Sequence, residues 1–446
     1  MLVDRMDSGL RYDDHPMDLK PRHYLPIVCP VPWPHLVLSW VRSGAAWLRS
    51  GEDGEGDDLL GLPGGPVLET RWSGTAWTTT LEGQPVSASP WAALERAVRS
   101  RDLPWVGAAT FELACAEAGL PHQPPEPGAL GQRWQGFETA LRRHGDGGFE
   151  LWSWEAAPPH PEAWRPGEAC GIFPAAPSLD LAPCWEEDRH RASVEAIQAR
   201  ILEGGFYVAN LCVPFEGRLD GQAEALAVDA FQRARPPFGA LLDLGDLRLV
   251  SLSMERLLSR RGDRLVSQPI KGTILKSGDA HLDAEAGRTL AADPKERAEH
   301  TMIVDLVRND LGRVARTGSV QVPRLMAVKP YPTVQHLVST VEALARPGLG
   351  LADLLRSILP GGSVTGAPKH AVCAHLAQVE AGPRGFYCGA LGWIAPDGDL
   401  DLALPIRTAQ IVGDRVTYWA GGGITRRSEP AREWAELRLK TRAITG

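Results

Sequence analysis

The chain has 446 residues, of which 43% are hydrophobic and 23% are charged. This balance is typical of a soluble globular protein with a sizeable core, and it excludes a mainly disordered chain. The formal net charge of −8 at pH 7 argues against a nucleic-acid binder, because such a protein needs a basic surface.

Cysteine usage and the N-terminal sequence predict a cytoplasmic location. The cysteines are scattered and none forms a CxxC pair, so the sequence indicates neither a zinc site nor a disulfide framework. They are Cys29, Cys115, Cys170, Cys184, Cys212, Cys373 and Cys388. Residues 1–20 are polar and acidic, unlike a signal peptide. The apolar stretch 36–48 is interrupted by Arg42 and is too short to span a bilayer. We therefore expect a reducing compartment.

Composition divides the chain into four regions. Residues 1–25 are predicted to be a loose leader, and residues 26–155 an N-terminal region of short strands joined by Gly-, Pro- and Asp-rich turns. Residues 156–185 are rich in Pro and Ala and form either a connector or a surface excursion of one continuous domain. Residues 186–446 are better patterned, and we expect them to carry the catalytic site.

Hydrophobic periodicity predicts strands and helices in alternation through this last region. Helices are predicted at 189–203, 295–310, 368–380 and 429–442. Strands are predicted at 206–215 and 333–341, with hairpins turning at 245–246 and 262–263 and a three-strand meander within 386–420. Strand hairpins separated by helices indicate an α+β fold instead of a doubly wound parallel sheet.

Two of these helices carry carboxylates beside apolar residues. Glu299 shares a face with Met302 and Leu306, and Glu433 and Glu436 lie one turn apart on the closing helix. Inward-facing carboxylates need a cation or a proton, and Mg²⁺ binds one or two of them together with substrate oxygens. The alternative is a set of solvated glutamates, including an i,i+4 pair between Glu436 and Lys440.

Lys271 and Glu255 follow predicted strands and have side chains suited to catalysis. A lysine in a dry pocket can lose its proton and act as a nucleophile. A buried glutamate with a raised pKa can act as a general acid. Taken singly, each could equally be a surface lysine in a turn or an ion-paired glutamate.

Two glycine-rich segments and one arginine complete the candidates. The loop at 361–369 enters a helix through Pro368, and its amides could hold a carboxylate; the Walker spacing is absent. A second glycine run, 421–423, precedes the closing helix. Arg407 is predicted on a strand over 400–411, opposite its apolar side, where it suits a carboxylate ligand or a salt bridge.

Six short motifs occur along the second half in a fixed order. They are Pro269-Ile-Lys-Gly-Thr273, Asp305-Leu-Val-Arg-Asn-Asp-Leu-Gly-Arg-Val314, Tyr331-Pro-Thr-Val-Gln-His-Leu-Val-Ser339, Gly361 to Lys369, Tyr387-Cys-Gly389 and Ala420-Gly-Gly-Gly-Ile424. This set closely resembles the chorismate-binding enzymes, a family that includes anthranilate synthase component I, aminodeoxychorismate synthase component I, isochorismate synthase and salicylate synthase. The resemblance is dense over 190–446 and weak before it.

The resemblance implies a large antiparallel β-sandwich flanked by helices, with both halves of the chain woven together. Within the family, a lysine at position 271 resembles the aminodeoxychorismate synthases, because anthranilate synthases usually have alanine there. The implied reaction converts chorismate and ammonia to 4-amino-4-deoxychorismate, for p-aminobenzoate and folate biosynthesis. Lys271 would be the nucleophile, and Glu255 would protonate the departing hydroxyl group. A separate glutamine amidotransferase subunit would supply the ammonia.

Other roles carry over by motif. The resemblance implies that Mg²⁺ is held by Glu299 and Glu436, with Glu433 as a direct or water-mediated ligand. It also implies substrate-lining positions at His336, Thr365, Tyr387, Arg407, Gly422 and Lys440.

The chain also departs from the family pattern. Val208 stands close to where salicylate and isochorismate synthases have a water-activating lysine, which argues against those two reactions. Pro405 interrupts the strand predicted around Arg407 and suggests an edge or a bulge. Leu437 replaces a usual threonine, and Ser253-Met-Glu-Arg256 replaces the commoner Ser-Pro-Glu-Arg. The remaining alternatives are an anthranilate synthase component I and a catalytically inactive chorismate-binding subunit.

Overall fold

The structure is a computed structural model, and it describes most of the chain from residue 57 onwards. The described residues are 19, 21, 23–27, 33, 37, 46–50, 57–62, 64–144, 147–155, 177–332 and 334–446. Most of the predicted leader, and residues 156–176 of the predicted connector, lie outside them. The four-region division therefore stays a prediction.

The described strands form two antiparallel sheets of twelve strands each. They are β1 His23–Ile27, β2 Ala46–Ser50, β3 Asp58–Gly61, β4 Val67–Trp72, β5 Trp77–Leu81, β6 Gln84–Pro85, β7 Trp105–Ala109, β8 Leu130–Gly136, β9 Thr139–Arg143, β10 Phe149–Ser153, β11 Ser178–Pro183, β12 Val208–Asp220, β13 Phe238–Asp243, β14 Arg248–Ser253, β15 Arg256–Arg261, β16 Arg264–Gln268, β17 Ile270–Leu275, β18 Gln321–Pro330, β19 Val334–Leu344, β20 Gly366–Ala367, β21 Ala390–Ile394, β22 Leu400–Ala403, β23 Thr408–Val412 and β24 Arg415–Ile424.

Strands from both halves of the chain contribute to each sheet. The first sheet has the order β1-β10-β9-β3-β2-β13-β14-β23-β24-β12-β11, with β20 paired to β12. The second has the order β17-β19-β16-β15-β22-β21-β7-β8-β4-β5-β6, with β18 paired to β19. The two halves are thus interwoven in both sheets.

Nine helices lie within the described residues. They are α1 Pro90–Ser100, α2 Phe111–Glu117, α3 Glu187–Leu202, α4 Ala223–Ala234, α5 Ala280–Ala292, α6 Pro294–Gly312, α7 Leu351–Ile358, α8 Lys369–Val379 and α9 Pro430–Thr445. Helix α6 begins where the Asp293 carboxylate accepts hydrogen bonds from the amides of Lys295 and Glu296, with Pro294 in the first turn. In the part of the chain that the structure describes, no helix is both long and apolar enough to cross a bilayer.

The hydrophobic core has three layers. Apolar residues of both sheets, among them Leu48 and Leu391, pack together between the sheets. The outer face of the first sheet is covered mainly by α3, α4, α8 and α9, and that of the second by α1, α2, α6 and α7. This arrangement confirms the predicted α+β class, an antiparallel β-sandwich flanked by helices.

The predicted helices and hairpins of the second half are confirmed within a few residues of their ends. The three-strand meander is wrong, because residues 386–420 contain β21, β22, β23 and most of β24. Strands β22 and β23 belong to different sheets, so the chain crosses from one sheet to the other through Leu404–Arg407.

Arg407 therefore does not lie on a strand, and Pro405 lies in a crossing instead of at an edge or bulge. The backbone of Arg407 has a φ of 51°, which breaks the extended conformation. A second crossing, Met254–Glu255, joins β14 of the first sheet to β15 of the second. The two crossings lie side by side, because the Leu404 amide donates to the Glu255 carbonyl at 3.0 Å.

Candidate active site

The two residues predicted to be catalytic meet at Ser363. Glu255 is buried in the crossing from β14 to β15, and its Oε1 accepts a 2.6 Å hydrogen bond from Ser363 Oγ. Lys271 lies on β17, half-buried, and its Nζ donates to the carbonyl oxygen of Ser363 at 3.2 Å. One serine thus contacts both a carboxyl group and an amine, which lie 108 and 92 positions before it in the sequence.

The environment of Glu255 suits a proton donor. Burial raises its pKa to about 7, against the opposing effects of the Ser363 hydrogen bond and the Lys271 ammonium. A carboxyl group with this pKa is partly protonated at neutral pH and can still release its proton, which is the condition for general acid catalysis near pH 7.

The loop that carries Ser363 is held from several sides. Residues Gly362–Val364 form a single 3₁₀ turn, and Arg384 Nη1 donates to the Val364 carbonyl at 2.8 Å. Arg384 is buried and paired with Glu380. Thr365, predicted to line the substrate, is fully buried and donates its hydroxyl hydrogen bond to the Gly361 carbonyl at 2.9 Å. Its hydroxyl group therefore closes the loop.

His336 and Arg407 form a second group around Met254. The Met254 sulfur lies 3.3 Å from His336 Nε2 and 2.8 Å from Arg407 Nη1. The other ring nitrogen of His336 lies 3.0 Å from Thr273 Oγ1 and 3.1 Å from the Gly272 carbonyl oxygen. Because Gly272 and Thr273 follow Lys271 on β17, this group lies beside the first one.

Charge in this second group favours an anionic ligand. Burial lowers the pKa of His336 to about 3, with Arg407 and Lys440 acting in the same direction, so its ring is neutral at physiological pH. Burial also lowers the pKa of Arg407. Among the described residues, no carboxylate is paired with the Arg407 guanidinium, whose side-chain contact is the Met254 sulfur. A desolvated guanidinium of this kind suits a substrate carboxylate.

The three glutamates predicted to bind metal lie on α6 and α9, together with two lysines. Lys295 Nζ lies 3.9 Å from Glu299 Oε1 and 3.6 Å from Glu433 Oε1. Lys440 Nζ lies 2.7 Å from Glu436 Oε1 and donates to the Gly421 carbonyl at 2.6 Å. Glu433 is buried, whereas the Glu436 side chain is 53% exposed.

These carboxylates crowd one another. Burial raises the pKa of Glu299 to about 7, and the negative charges of Glu296 and Glu433 contribute to the increase. The Lys440 ammonium lowers the pKa of Glu436. Within the described residues, no group of three or more His, Cys, Asp and Glu side chains is arranged to hold a metal ion. The all-oxygen donor set nonetheless fits magnesium chemically, and the three-glutamate site stays a prediction.

The glycine run of β24 passes these groups at close range. A Cβ atom at Gly422 would lie 3.1 Å from Glu433 Oε2, and one at Gly423 would lie 3.6 Å from Lys271 Nζ. A side chain at position 422 would therefore press on the Glu433 carboxylate, whereas one at position 423 would only contact the Lys271 amine. Tyr387 is buried in the core over the second sheet, and burial raises the pKa of its hydroxyl well above the usual value. The structure thus brings Gly422 to the carboxylates and places Tyr387 in packing.

Sequence reasoning missed four residues of this region: Met254, Ser363, Lys295 and Glu296. Lys295 and Glu296 carried a usable signal, since they precede Glu299 by four and three residues on one helix. Ser363 and Met254 carried no signal beyond lying next to candidate residues in the sequence, because their contacts come from distant parts of the chain.

The chain matches one family model and is similar in sequence to several known proteins. The family model described as chorismate binding enzyme matches residues 68–446. The chain is 40% identical over 276 residues to aminodeoxychorismate synthase component 1 of Klebsiella aerogenes, covering 61% of each protein. It is 39% identical over 268 residues to an anthranilate synthase component 1 of Haloarcula marismortui, covering 58% of this chain and 54% of that protein. The match to the K. aerogenes protein thus spans about three fifths of that relative's length.

Solved structures agree on the fold. Anthranilate synthase component I from Streptococcus pneumoniae superposes with a TM-score of 0.74 at 24% identity, covering 97% of this chain and 96% of that one. The menaquinone-specific isochorismate synthase from Escherichia coli superposes with a TM-score of 0.70 at 18% identity, covering 96% of each chain. With the family model matched over residues 68–446, the chain belongs to the family of chorismate binding enzymes.

Proposed function

We propose that the chain is the synthase component that converts chorismate and ammonia to 4-amino-4-deoxychorismate, the precursor of p-aminobenzoate in folate biosynthesis. The observation that carries this proposal is the convergence of Lys271 and Glu255 on Ser363, because it pairs a nucleophilic amine with a carboxylic acid. The similarity to proteins named aminodeoxychorismate synthase component 1 supports it.

The proposed reaction proceeds by two displacements that share Lys271. The amine of Lys271 forms a bond to C2 of chorismate, the ring double bonds shift, and the C4 hydroxyl group leaves. Glu255 gives that group its proton, so it departs as water. Ammonia then forms a bond at C4, the double bonds shift back, and the bond between C2 and Lys271 breaks with its electron pair returning to nitrogen. The new C4 ammonium group gives one proton back to the Glu255 carboxylate, which restores the acid. The net change is one ammonia in and one water out.

Substrate binding uses the positive groups of the site. Chorismate carries two carboxylates, and the guanidinium of Arg407 and the ammonium of Lys440 provide complementary charge. His336 stays neutral and provides a hydrogen-bonding ring beside Lys271. The backbone of the Thr365 loop and Gly422 complete the proposed lining, whereas Tyr387 packs in the core over the second sheet.

Magnesium is part of the proposal. Glu299 and Glu436 would hold the ion, with Glu433 as a direct or water-mediated ligand. When bound, the ion supplies positive charge that polarises the ring carboxylate of the substrate. Lys295, which lies between Glu299 and Glu433, would have to move aside.

The proposal includes a partner and a location. We propose that a separate glutamine amidotransferase subunit delivers the ammonia, in keeping with the component 1 names of the relatives. We propose the cytoplasm as the compartment.

The test incubates the purified chain with chorismate, an ammonium salt and Mg²⁺, and identifies the product by chromatography and mass. The proposal expects 4-amino-4-deoxychorismate from the wild type and none from Lys271→Ala. Lys276→Ala is the matched control, because this lysine lies just beyond β17, and it should keep activity. Anthranilate as the product, or unchanged turnover in Lys271→Ala, would refute the role of Lys271. No conversion, even with an amidotransferase added, would favour an inactive chorismate-binding subunit.

A further inference from the structure

Ser363 contacts both proposed catalytic groups with different atoms. Its hydroxyl group donates to Glu255 Oε1 at 2.6 Å, and its carbonyl oxygen accepts from Lys271 Nζ at 3.2 Å. The residue is buried in the 3₁₀ turn Gly362–Val364. The proposed roles of Lys271 and Glu255 do not by themselves require the serine hydroxyl group.

A hydroxyl donor on one carboxyl oxygen determines where the acid proton lies. A protonated carboxyl group has a single O–H and keeps the other oxygen as an acceptor. Since Ser363 donates to Oε1 of Glu255, the acid proton lies on Oε2. Without that donor, the proton could occupy either oxygen, and only one of them can face the leaving group in a given pose.

Protein contacts on both sides hold the turn that carries Ser363. The next carbonyl, that of Val364, accepts from the buried Arg384. The preceding residue, Gly362, packs on Leu306 so closely that a Cβ atom there would lie 3.0 Å from the Leu306 Cβ. A turn fixed on both sides offers the hydroxyl group in one place, which is the preorganisation that catalysis requires.

We propose that Ser363 is a positioning residue, whose hydroxyl group assigns the acid proton to Oε2 of Glu255 while its carbonyl group holds the Lys271 amine beside it. This inference rests on the proposed function. Ser363 itself forms and breaks no covalent bond in the proposed reaction, and it acts by fixing the acid and the nucleophile relative to each other.

Substitution separates the two contacts. Ser363→Ala removes the hydroxyl group but keeps the carbonyl that holds Lys271. The lost hydrogen bond had opposed the effect of burial on the Glu255 carboxyl, so its pKa should rise further. The charged group that acts on Glu255 is the Lys271 ammonium of β17, which the substitution leaves in place. We therefore expect a lower kcat, with substrate binding nearly unchanged. The pH above which kcat falls, which is the alkaline limit of the pH–rate profile, should move to a higher value.

The experiment measures kcat and KM for chorismate from pH 6 to 9 in the wild type, Ser363→Ala, Ser363→Thr and Ser363→Cys. We expect kcat of the alanine variant to fall roughly 10- to 100-fold at pH 7, less than the ~10²- to 10⁴-fold of a whole general acid. KM should stay within about threefold, since Ser363 adds no uniform binding energy. Threonine keeps a hydroxyl donor and should retain most activity. Cysteine has a similar volume to serine but is a weak donor, so the cysteine variant should lose kcat as the alanine variant does. If the alanine variant does not fold, the cysteine variant takes its place in the test.

Two results would overturn the inference. One is a wild-type kcat and alkaline limit in both the alanine and the cysteine variants. The other is equal loss in threonine and cysteine, because that would indicate packing alone. The identity of the wild-type product separates this test from the proposed function. A chain that makes anthranilate would refute that function, whereas the pH dependence of its variants would still report on Ser363 and Glu255.

Discussion

Burial of Glu255 should lower the stability of the fold at alkaline pH. Burial raises the pKa of this carboxyl group from 4.5 to about 7. Because one pH unit of such a difference corresponds to about 1.4 kcal/mol, the ionised carboxylate costs the folded state roughly 3 kcal/mol at alkaline pH. Glu255→Gln removes the charge and keeps an oxygen that can accept the Ser363 hydrogen bond.

The sign of the effect follows from proton binding. Between pH 4.5 and about 7 the folded state binds more protons at Glu255 than the unfolded chain does. The free energy of unfolding therefore falls as pH rises through this window and levels off above it. Relative to Glu255→Gln, the wild type should lose roughly 2–3 kcal/mol between pH 5 and pH 8. Any packing cost of the glutamine side chain is common to both pH values and cancels in that difference.

Urea unfolding followed by tryptophan fluorescence, at pH 5 and pH 8, measures the effect. The matched control is Glu203→Gln, since Glu203 is an exposed carboxylate whose side chain is 62% accessible in an ion pair with Arg200. That substitution should change stability little at either pH, because exposed ion pairs contribute little. If the stability difference between wild type and Glu255→Gln is the same at both pH values, burial does not raise the pKa of Glu255.

Three further predictions concern activity. With saturating chorismate, kcat of the wild type should fall as pH rises through about 7, because Glu255 must be protonated to act; a pH–rate profile that stays level to pH 9 would contradict this. Arg407→Met should raise KM for chorismate at least roughly 10-fold, because it removes a contact to a substrate carboxylate. Steady-state kinetics would measure this change. The control is Arg415→Met, which changes an exposed arginine at the start of β24. Removing divalent cations with EDTA should abolish turnover, and excess Mg²⁺ should restore it; activity that survives EDTA would remove the metal from the proposal.

The sequence predicted features that depend on local chemistry. Helix α6 was predictable because Asp293 and Pro294 begin it and an apolar face follows. The hairpin between β13 and β14 was predictable because Gly245 allows a positive φ of 83° at its turn. The resemblance to the family also implied catalytic roles for Lys271 and Glu255, although neither residue was distinctive by itself.

Features that depend on distant contacts could not be predicted. Apolar alternation continues through Leu402, Leu404 and Ile406, so the pattern predicted one strand where the chain changes sheets. The bond from Ser363 to Glu255 joins residues 108 positions apart. No local pattern encodes such a contact, because only the packing of the turn against the two sheets creates it.

Glu255 and Arg407 occupy the two crossings, and their side chains do not pair with each other. Side chains on a strand point alternately to its two faces, because hydrogen bonds to neighbouring strands fix the backbone. Residues that cross between sheets do not have this constraint. Glu255 and Arg407 both occupy such positions, and Arg407 does so with a positive φ of 51°, a conformation that costs about 1 kcal/mol or more. If the two side chains paired, the pKa of Glu255 would fall and it could not donate a proton near pH 7. Instead Glu255 accepts from Ser363, and Arg407 contacts the neutral sulfur of Met254. In the proposed function, this arrangement keeps the guanidinium charge for a substrate carboxylate and the carboxylic acid for proton transfer.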